Sequence, residues 1–150
     1  MKKLISLGIV LLFASFTGAA SDGLVTYESP YSVKETADRF ERIAKSKGLT
    51  LFARIDHQKN ASGAGLELRP TEVIILGNPK VGTPLMQCAQ EVAIDLPQKV
   101  LISQDSKHKV WLSYNSPDYL KLRHNIKGCD AVINKISSVL RKLSDATVAK

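Results

Sequence analysis

Glu72-Val73-Ile74-Ile75-Leu76-Gly77-Asn78-Pro79-Lys80-Val81-Gly82-Thr83-Pro84-Leu85-Met86 decides the fold, because an unbroken apolar run passes through a Gly- and Pro-containing loop into residues of helical spacing. Val73 to Leu76 predicts a central strand buried on both faces. Gly77-Asn78-Pro79 turns the chain. Thr83 is placed to cap a helix with Pro84 at its first position, and that helix runs through Leu85, Ala89, Val92 and Ala93 until Pro97 stops it. Free N–H groups and the helix dipole at such a terminus favour an anion, so the loop reads as the edge of a binding site. A tight turn accounts for the same residues. The spacing fits neither the Walker phosphate loop nor the dinucleotide fingerprint, so no nucleotide is implied.

Upstream, Leu24-Val25-Thr26-Tyr27 reads as a strand closed by Ser29-Pro30. Ser32 and Glu35 then form a capping box for a helix whose buried stripe is Val33, Ala37, Phe40 and Ile43/Ala44, ended by Gly48. From Leu49 to Asp56 residues alternate, which predicts Leu49, Leu51, Ala53 and Ile55 beneath that helix and Arg54 with Asp56 on the opposite face. Asn60 to Gly65 reads as a flexible loop and Leu66-Glu67-Leu68 as a short extended piece broken at Pro70. Downstream, Lys99–Ser103 and Lys109–Tyr114 form a hairpin around Asp105-Ser106-Lys107-His108, which puts Trp111 and Tyr114 on opposite faces. A helix covers Tyr119 to His124, Gly128 interrupts, and a long last helix buries Val132, Ile136, Val139/Leu140 and Leu143 before a frayed tail from Ala146 to Lys150. This mixture of strands and amphipathic helices predicts a single α+β domain, a sheet layered with helices on one face.

The chain opens on Met1-Lys2-Lys3 and an apolar run, Leu4 to Ala14, too short to span a bilayer. That is the form of a secretory signal peptide covering residues 1–20, with cleavage after Ala20, which leaves about 130 residues, 21–150, for one core. Export to a bacterial periplasm is expected, with no membrane attachment after cleavage. The formal charge of +7 loses the two lysines of the leader. The rest is mildly basic, without a Lys/Arg-rich run or aromatic residues interleaved with basic ones, so nucleic acid is not an expected partner.

Several side chains carry candidate chemistry. An Asp56–His57 pair could orient an imidazole for acid–base work, but neighbouring strand residues face opposite sides, so the pair needs a bulge or strand end; a structural Arg54–Asp56 pair competes. Arg69, with Thr71 just before the buried strand, either fixes a loop through carbonyls and a carboxylate or clamps an anion together with Arg54. Asn78, Thr83 and Met86 follow in the loop and helix, and Tyr114 or Trp111 faces a pocket. Cys88 and Cys129 exclude a CxxC motif or a four-cysteine zinc site and are expected to pair in an oxidising compartment. No two histidines have ligand spacing, so neither metal nor cofactor is expected.

Phe52-Ala53-Arg54-Ile55-Asp56-His57 with Gly48-Leu49-Thr50, Leu68-Arg69-Pro70-Thr71, Gly77 to Met86, Asp95-Leu96-Pro97 and Val110 to Asn115 together resemble the uncharacterised bacterial family known as domain of unknown function 302. The likeness runs from Gly23 to about Leu143. It implies a curved, mostly antiparallel sheet of the TATA-binding-protein-like or helix-grip kind, with a long helix across the concave face and a pocket between them, and some tendency to form homodimers. It implies no catalytic mechanism. Three functions follow as expectations. In the first, Arg54, Arg69 and the Asn78–Thr83 loop hold a small anionic or amphipathic ligand against Phe52, Met86 and Tyr114. The second is a structural or partner-binding dimer, and the third a hydrolase or isomerase using His57 and Asp56.

Overall fold

The computed structural model describes residues 23–150; the expected signal peptide lies outside the described residues. Five strands, β1 (Leu24–Ser29), β2 (Thr50–Asp56), β3 (Thr71–Gly77), β4 (Gln98–Gln104) and β5 (Val110–Asn115), form one antiparallel sheet in the order β1-β5-β4-β3-β2. Because β1 and β2 sit on opposite edges, the helix between them has to cross the sheet. That helix, α1 (Val33–Ser46), does so on the face of Val33, Thr36, Ala37, Phe40 and Ala44, and it is capped by the Ser32 hydroxyl, which accepts from the Glu35 N–H. The expected α+β architecture is thus the observed one.

The alternating pleat selects what α1 meets. Ile74 and Leu76 from β3, Val100 and Ile102 from β4 and Leu112 and Tyr114 from β5 all turn inward and are buried. Each large aliphatic side chain so buried contributes about 1.5–3 kcal/mol of apolar transfer. The last helix, α5 (Asp130–Val148), packs beside α1 and β1 with Ile133, Ile136, Leu140 and Leu143. Strand β3, expected to be central and buried on both faces, is instead the inner strand beside the edge strand β2, β4 being central, and it is buried on this face alone; Val73 and Ile75 on its other face are only half-buried.

Strand β2 departs from simple alternation. Leu51 lies opposite Leu76, yet Ala53 lies opposite Ile75, so Phe52 is an extra residue and forms a bulge. A bulge reverses which face each later side chain takes. Leu51 still faces the helices, but Arg54 now faces inward opposite Ile74, while Ala53 and Ile55 face outward beside Ile75 and Val73. The physical gain is ionic: inside, Arg54 finds carboxylates on α1 and β3.

Four further elements differ from the sequence expectation. Residues expected as a flexible loop form α2 (His57–Gly63), nucleated by Asp56, whose carboxylate accepts from the Lys59 N–H at 2.8 Å. Leu66 to Leu68 pair with no strand. The helix expected to begin at Thr83 begins five residues earlier: Asn78 caps α3 (Pro79–Cys88) by accepting from the Lys80 N–H, Pro79 takes the first position, and Pro84 lies inside the helix. Asn before Pro outcompeted Thr before Pro as the start signal. The chain extends at Ala89 and continues as a 3₁₀ turn, Gln90–Ile94, in place of one long helix.

The tail is not frayed. Helix α5 continues to Val148, Thr147 is fully buried, and Arg39 of α1 donates to the Thr147 carbonyl through Nε and to the Ala149 carbonyl through Nη2, each at 2.8 Å. The Arg39 guanidinium lies 4.1 Å above the Tyr31 ring, and the Tyr31 hydroxyl donates to the same Ala149 carbonyl. Arg39→Ala should cost about 1–2 kcal/mol. Amide exchange of residues 145–149 should quicken well before global unfolding; unchanged protection there would show that the arginine holds nothing.

Candidate functional site

Where β3 ends at Gly77 and β4 begins at Gln98, the sheet separates from the helices and a cavity of about 660 Å³ opens, within the range of small-molecule sites. Ile43 and Leu49 bound it from the α1 side, Phe52 from the bulge, Val81 and Met86 from α3, Leu96 and Pro97 from the segment before β4, and Ile136, Val139, Leu140 and Leu143 from α5. The walls are overwhelmingly apolar. Among the described residues their charged members are Lys47, Lys135 and Lys142, all exposed, and no carboxylate lines the cavity. An apolar interior with a wholly cationic rim suits an apolar body with an acidic end.

The bulge helps make this space. Gly77 has the Phe52 ring within 3.5 Å of where a Cβ would stand, so the ring closes over the strand end and is itself 52% exposed. The disulfide ties two walls of the cavity together. Cys88 ends α3 and Cys129 directly precedes α5, and they are bonded, so the two helices that form opposing walls are tied at one end.

Of the residues singled out from sequence, Phe52, Asn78, Thr83 and Met86 line the cavity, whereas Arg54, Asp56, His57, Arg69, Thr71 and Tyr114 do not. Arg54 donates from Nε to Glu72 at 2.5 Å and from Nη1 to Asp38 at 2.6 Å and Glu41 at 3.3 Å. Burial opposes its charge, yet these three carboxylates outweigh burial and hold its pKa above the ordinary value. Arg69 is exposed beyond the other end of β3, roughly 20 Å of strand away from Gly77, where its Nε donates to the Gln104 carbonyl at 3.0 Å. The two arginines therefore form no common clamp. Thr71 donates its hydroxyl to the Arg69 carbonyl. Asp56 is occupied as the α2 cap and His57 is exposed on the first turn of that helix, so the acid–base pair is not assembled. Tyr114 is a core residue, stacked on Tyr27 with centroids 6.3 Å apart, and burial raises its phenol pKa. Trp111 takes the opposite face and donates from Nε1 to Asp105 at 2.9 Å.

Sequence reasoning missed Gln98, the three rim lysines and one contact at Asp95. His124 Nε2 lies 2.5 Å from Asp95 Oδ2, with Arg123 Nε 3.4 Å from the same oxygen; the pair ties α4 (Pro117–Arg123) to the 3₁₀ turn. Only Asp95-Leu96-Pro97 signalled it, because its partner lies 29 residues away.

The family described as "Domain of unknown function DUF302" matches residues 25–143. The chain belongs to the DUF302 family. A crystal structure of an uncharacterised conserved DUF302 protein from Bacillus stearothermophilus superposes with a TM-score of 0.76 over 83% of this chain and 98% of that one, at 18% identity, and so shares the fold. The chain is also similar to part of the fluoride-specific ion channel FluC 1 of Brucella suis biovar 1, with 49% identity over 104 residues, 69% of this chain and 41% of the channel. A channel of the same name from Brucella abortus biovar 1 matches at the same identity over 38% of its length. The chain thus spans about two fifths of these relatives. Among the described residues no helix is long and apolar enough to cross a membrane.

Proposed function

We propose that this chain is an exported binding module that takes a small amphipathic acid, its apolar body in the cavity between sheet, α3 and α5 and its anionic end at the lysine rim. The carrying observation is the charge pattern of the cavity: apolar walls, three exposed lysines and, among the described residues, no lining carboxylate. Export is supported by the basic start and short apolar run of the sequence and by the Cys88–Cys129 bridge, which suits an oxidising compartment.

Dodecanoate is a suitable probe. Burying most of its methylenes contributes about 0.8 kcal/mol each, against which the costs of association are set. Gly82 lines the cavity and a Cβ placed there meets nothing within 4 Å, so a side chain can start there without a clash, and Gly82→Phe should occupy cavity space and weaken dodecanoate at least ten-fold in calorimetric titration. Neutralising Lys47, Lys135 and Lys142 together should weaken it about ten-fold and flatten its salt dependence. Dodecanoate affinity indifferent to both changes would refute the reading.

A second reading, a module that docks to a partner or a second copy, is favoured by the sheet's outer face, where Ile55, Val73, Ile75 and Leu101 are only half-buried. The Brucella relatives, which join a similar stretch to a longer chain named as a fluoride channel, suit it also. Light scattering that shows a monomer at high concentration would remove the homodimeric form of this reading.

A further inference from the structure

Helix α3 is a lightly anchored wall of the cavity. It lends Val81, Gly82, Thr83 and Met86 to the lining, yet Leu85 is its one buried residue, whereas α1 buries five and α5 six. Its flanking residues, Asn78 and Ala89, are both extended, so the helix is set off at each end from the chain around it. A segment that buries so little apolar surface has little packing energy to hold it in place. What fixes its end is covalent. Cys88, the last residue of α3, is bonded to Cys129, the residue before α5. Cys88 is exposed and Cys129 is 8% exposed, so an external thiol meets the bridge on the Cys88 side. With the bridge open, Cys129 offers α3 only a weak S–H donor, 3.7 Å from the Pro84 carbonyl.

We propose that the bridge is a redox latch on this site: a dithiol, free or carried as a Cys-x-x-Cys pair by a partner protein, reduces Cys88–Cys129, α3 loosens from α5, and the amphipathic acid is released. This rests on the cavity being a ligand site, as proposed above. A thiolate of the dithiol attacks Cys88 Sγ, the bond between the two cysteines breaks, and its electron pair leaves on Cys129, which takes up a proton. The second thiolate of the dithiol then attacks its own partner sulfur in the mixed disulfide and expels Cys88, which is protonated in turn. The dithiol ends as a disulfide and the bridge, reduced by two electrons, as two thiols. Because α3 and α5 wall the cavity from two sides, the acid binds the bridged form more tightly, and by linkage a bound acid makes the bridge harder to reduce by the same factor.

The test titrates dodecanoate into the bridged chain, into the chain reduced with dithiothreitol, and into Cys88→Ser with Cys129→Ser, while amide exchange reports on the sheet. The reduced chain and the double variant should keep protected amides in β3, β4 and β5 and bind dodecanoate at least ten-fold more weakly than the bridged chain, and dithiothreitol should not alter binding to the double variant. Equilibration against dithiothreitol should then show saturating dodecanoate lowering the potential of the bridge by about 30 mV for each ten-fold of that difference. Equal affinities of bridged and reduced chains, or a potential indifferent to dodecanoate, would overturn the latch and leave the cavity reading standing. A reduced chain that loses protection throughout the sheet would overturn it also, because the bridge would then hold the whole fold and not one wall. If dodecanoate fails to bind the bridged chain, both readings fall.

Discussion

Removing the Cys88–Cys129 bridge, by reduction or as Cys88→Ser with Cys129→Ser, is expected to destabilise the folded domain by about 4 kcal/mol. The two cysteines are 41 residues apart in sequence, and cross-linking a loop of that size removes much of the freedom of the unfolded chain. A loss of that size in a domain this long corresponds to a fall in Tm of roughly 10–20 °C. The bridge ends on the two helices that wall the cavity, so the loss should be local as well as global. In the reduced protein, amides of α3 and of the first turns of α5 should exchange faster than those of β3 and β4. Labelling of unfolded, unreduced protein from its native cells must find no free thiol; two labelled cysteines would contradict both the bridge and the proposed compartment.

The second large effect is at Arg54. Truncating it as Arg54→Leu leaves Glu72, 8% exposed, as an inward carboxylate without its cation. Breaking one partner of a buried pair costs about 3–5 kcal/mol, and the guanidinium's 24% side-chain exposure lowers this to roughly 2–3 kcal/mol. Glu72→Gln in the same background should recover part of the loss, because it removes the orphaned charge. The pH dependence has a definite sign. Lys34 and then Arg54 hold the Asp38 carboxyl below its ordinary value, and Lys45 with Arg54 does the same for Glu41. Groups whose pKa is lower folded than unfolded contribute stability that is full above the unfolded value and is lost as pH falls through the folded one. Wild-type stability should therefore decline below about pH 4.5, and Arg54→Leu should decline less over the same interval. Parallel pH profiles would show that Arg54 does not carry the linkage.

The sequence made the layering legible because period and capping agreed: the Ser32 cap, the Phe40 stripe and the 99–114 hairpin all appear where their patterns place them. Strand β2 was misread past Leu51 because one inserted residue reverses a period of two, and nothing in Leu51-Phe52-Ala53 marks an insertion. That single bulge moved Arg54 from a supposed outward binding face to an inward ionic cluster. The Asn78–Met86 stretch, read as a loop at the edge of a binding site, forms most of helix α3 and lines the cavity, whereas the arginines assigned to it bind carboxylates and a carbonyl elsewhere. The lysine rim was illegible: Lys47 closes α1, while Lys135 and Lys142 sit on α5, and only packing brings them to one opening.

The central claim, that an amphipathic acid enters the space between sheet, α3 and α5, is tested most directly by methyl spectra of labelled protein titrated with dodecanoate. The account predicts saturable shifts confined to Val81, Met86, Ile136, Val139, Leu140 and Leu143, absent in Gly82→Phe. Shifts centred instead on Ile55, Val73, Ile75 and Leu101 of the outer sheet face, or no saturable shift at all, would contradict it.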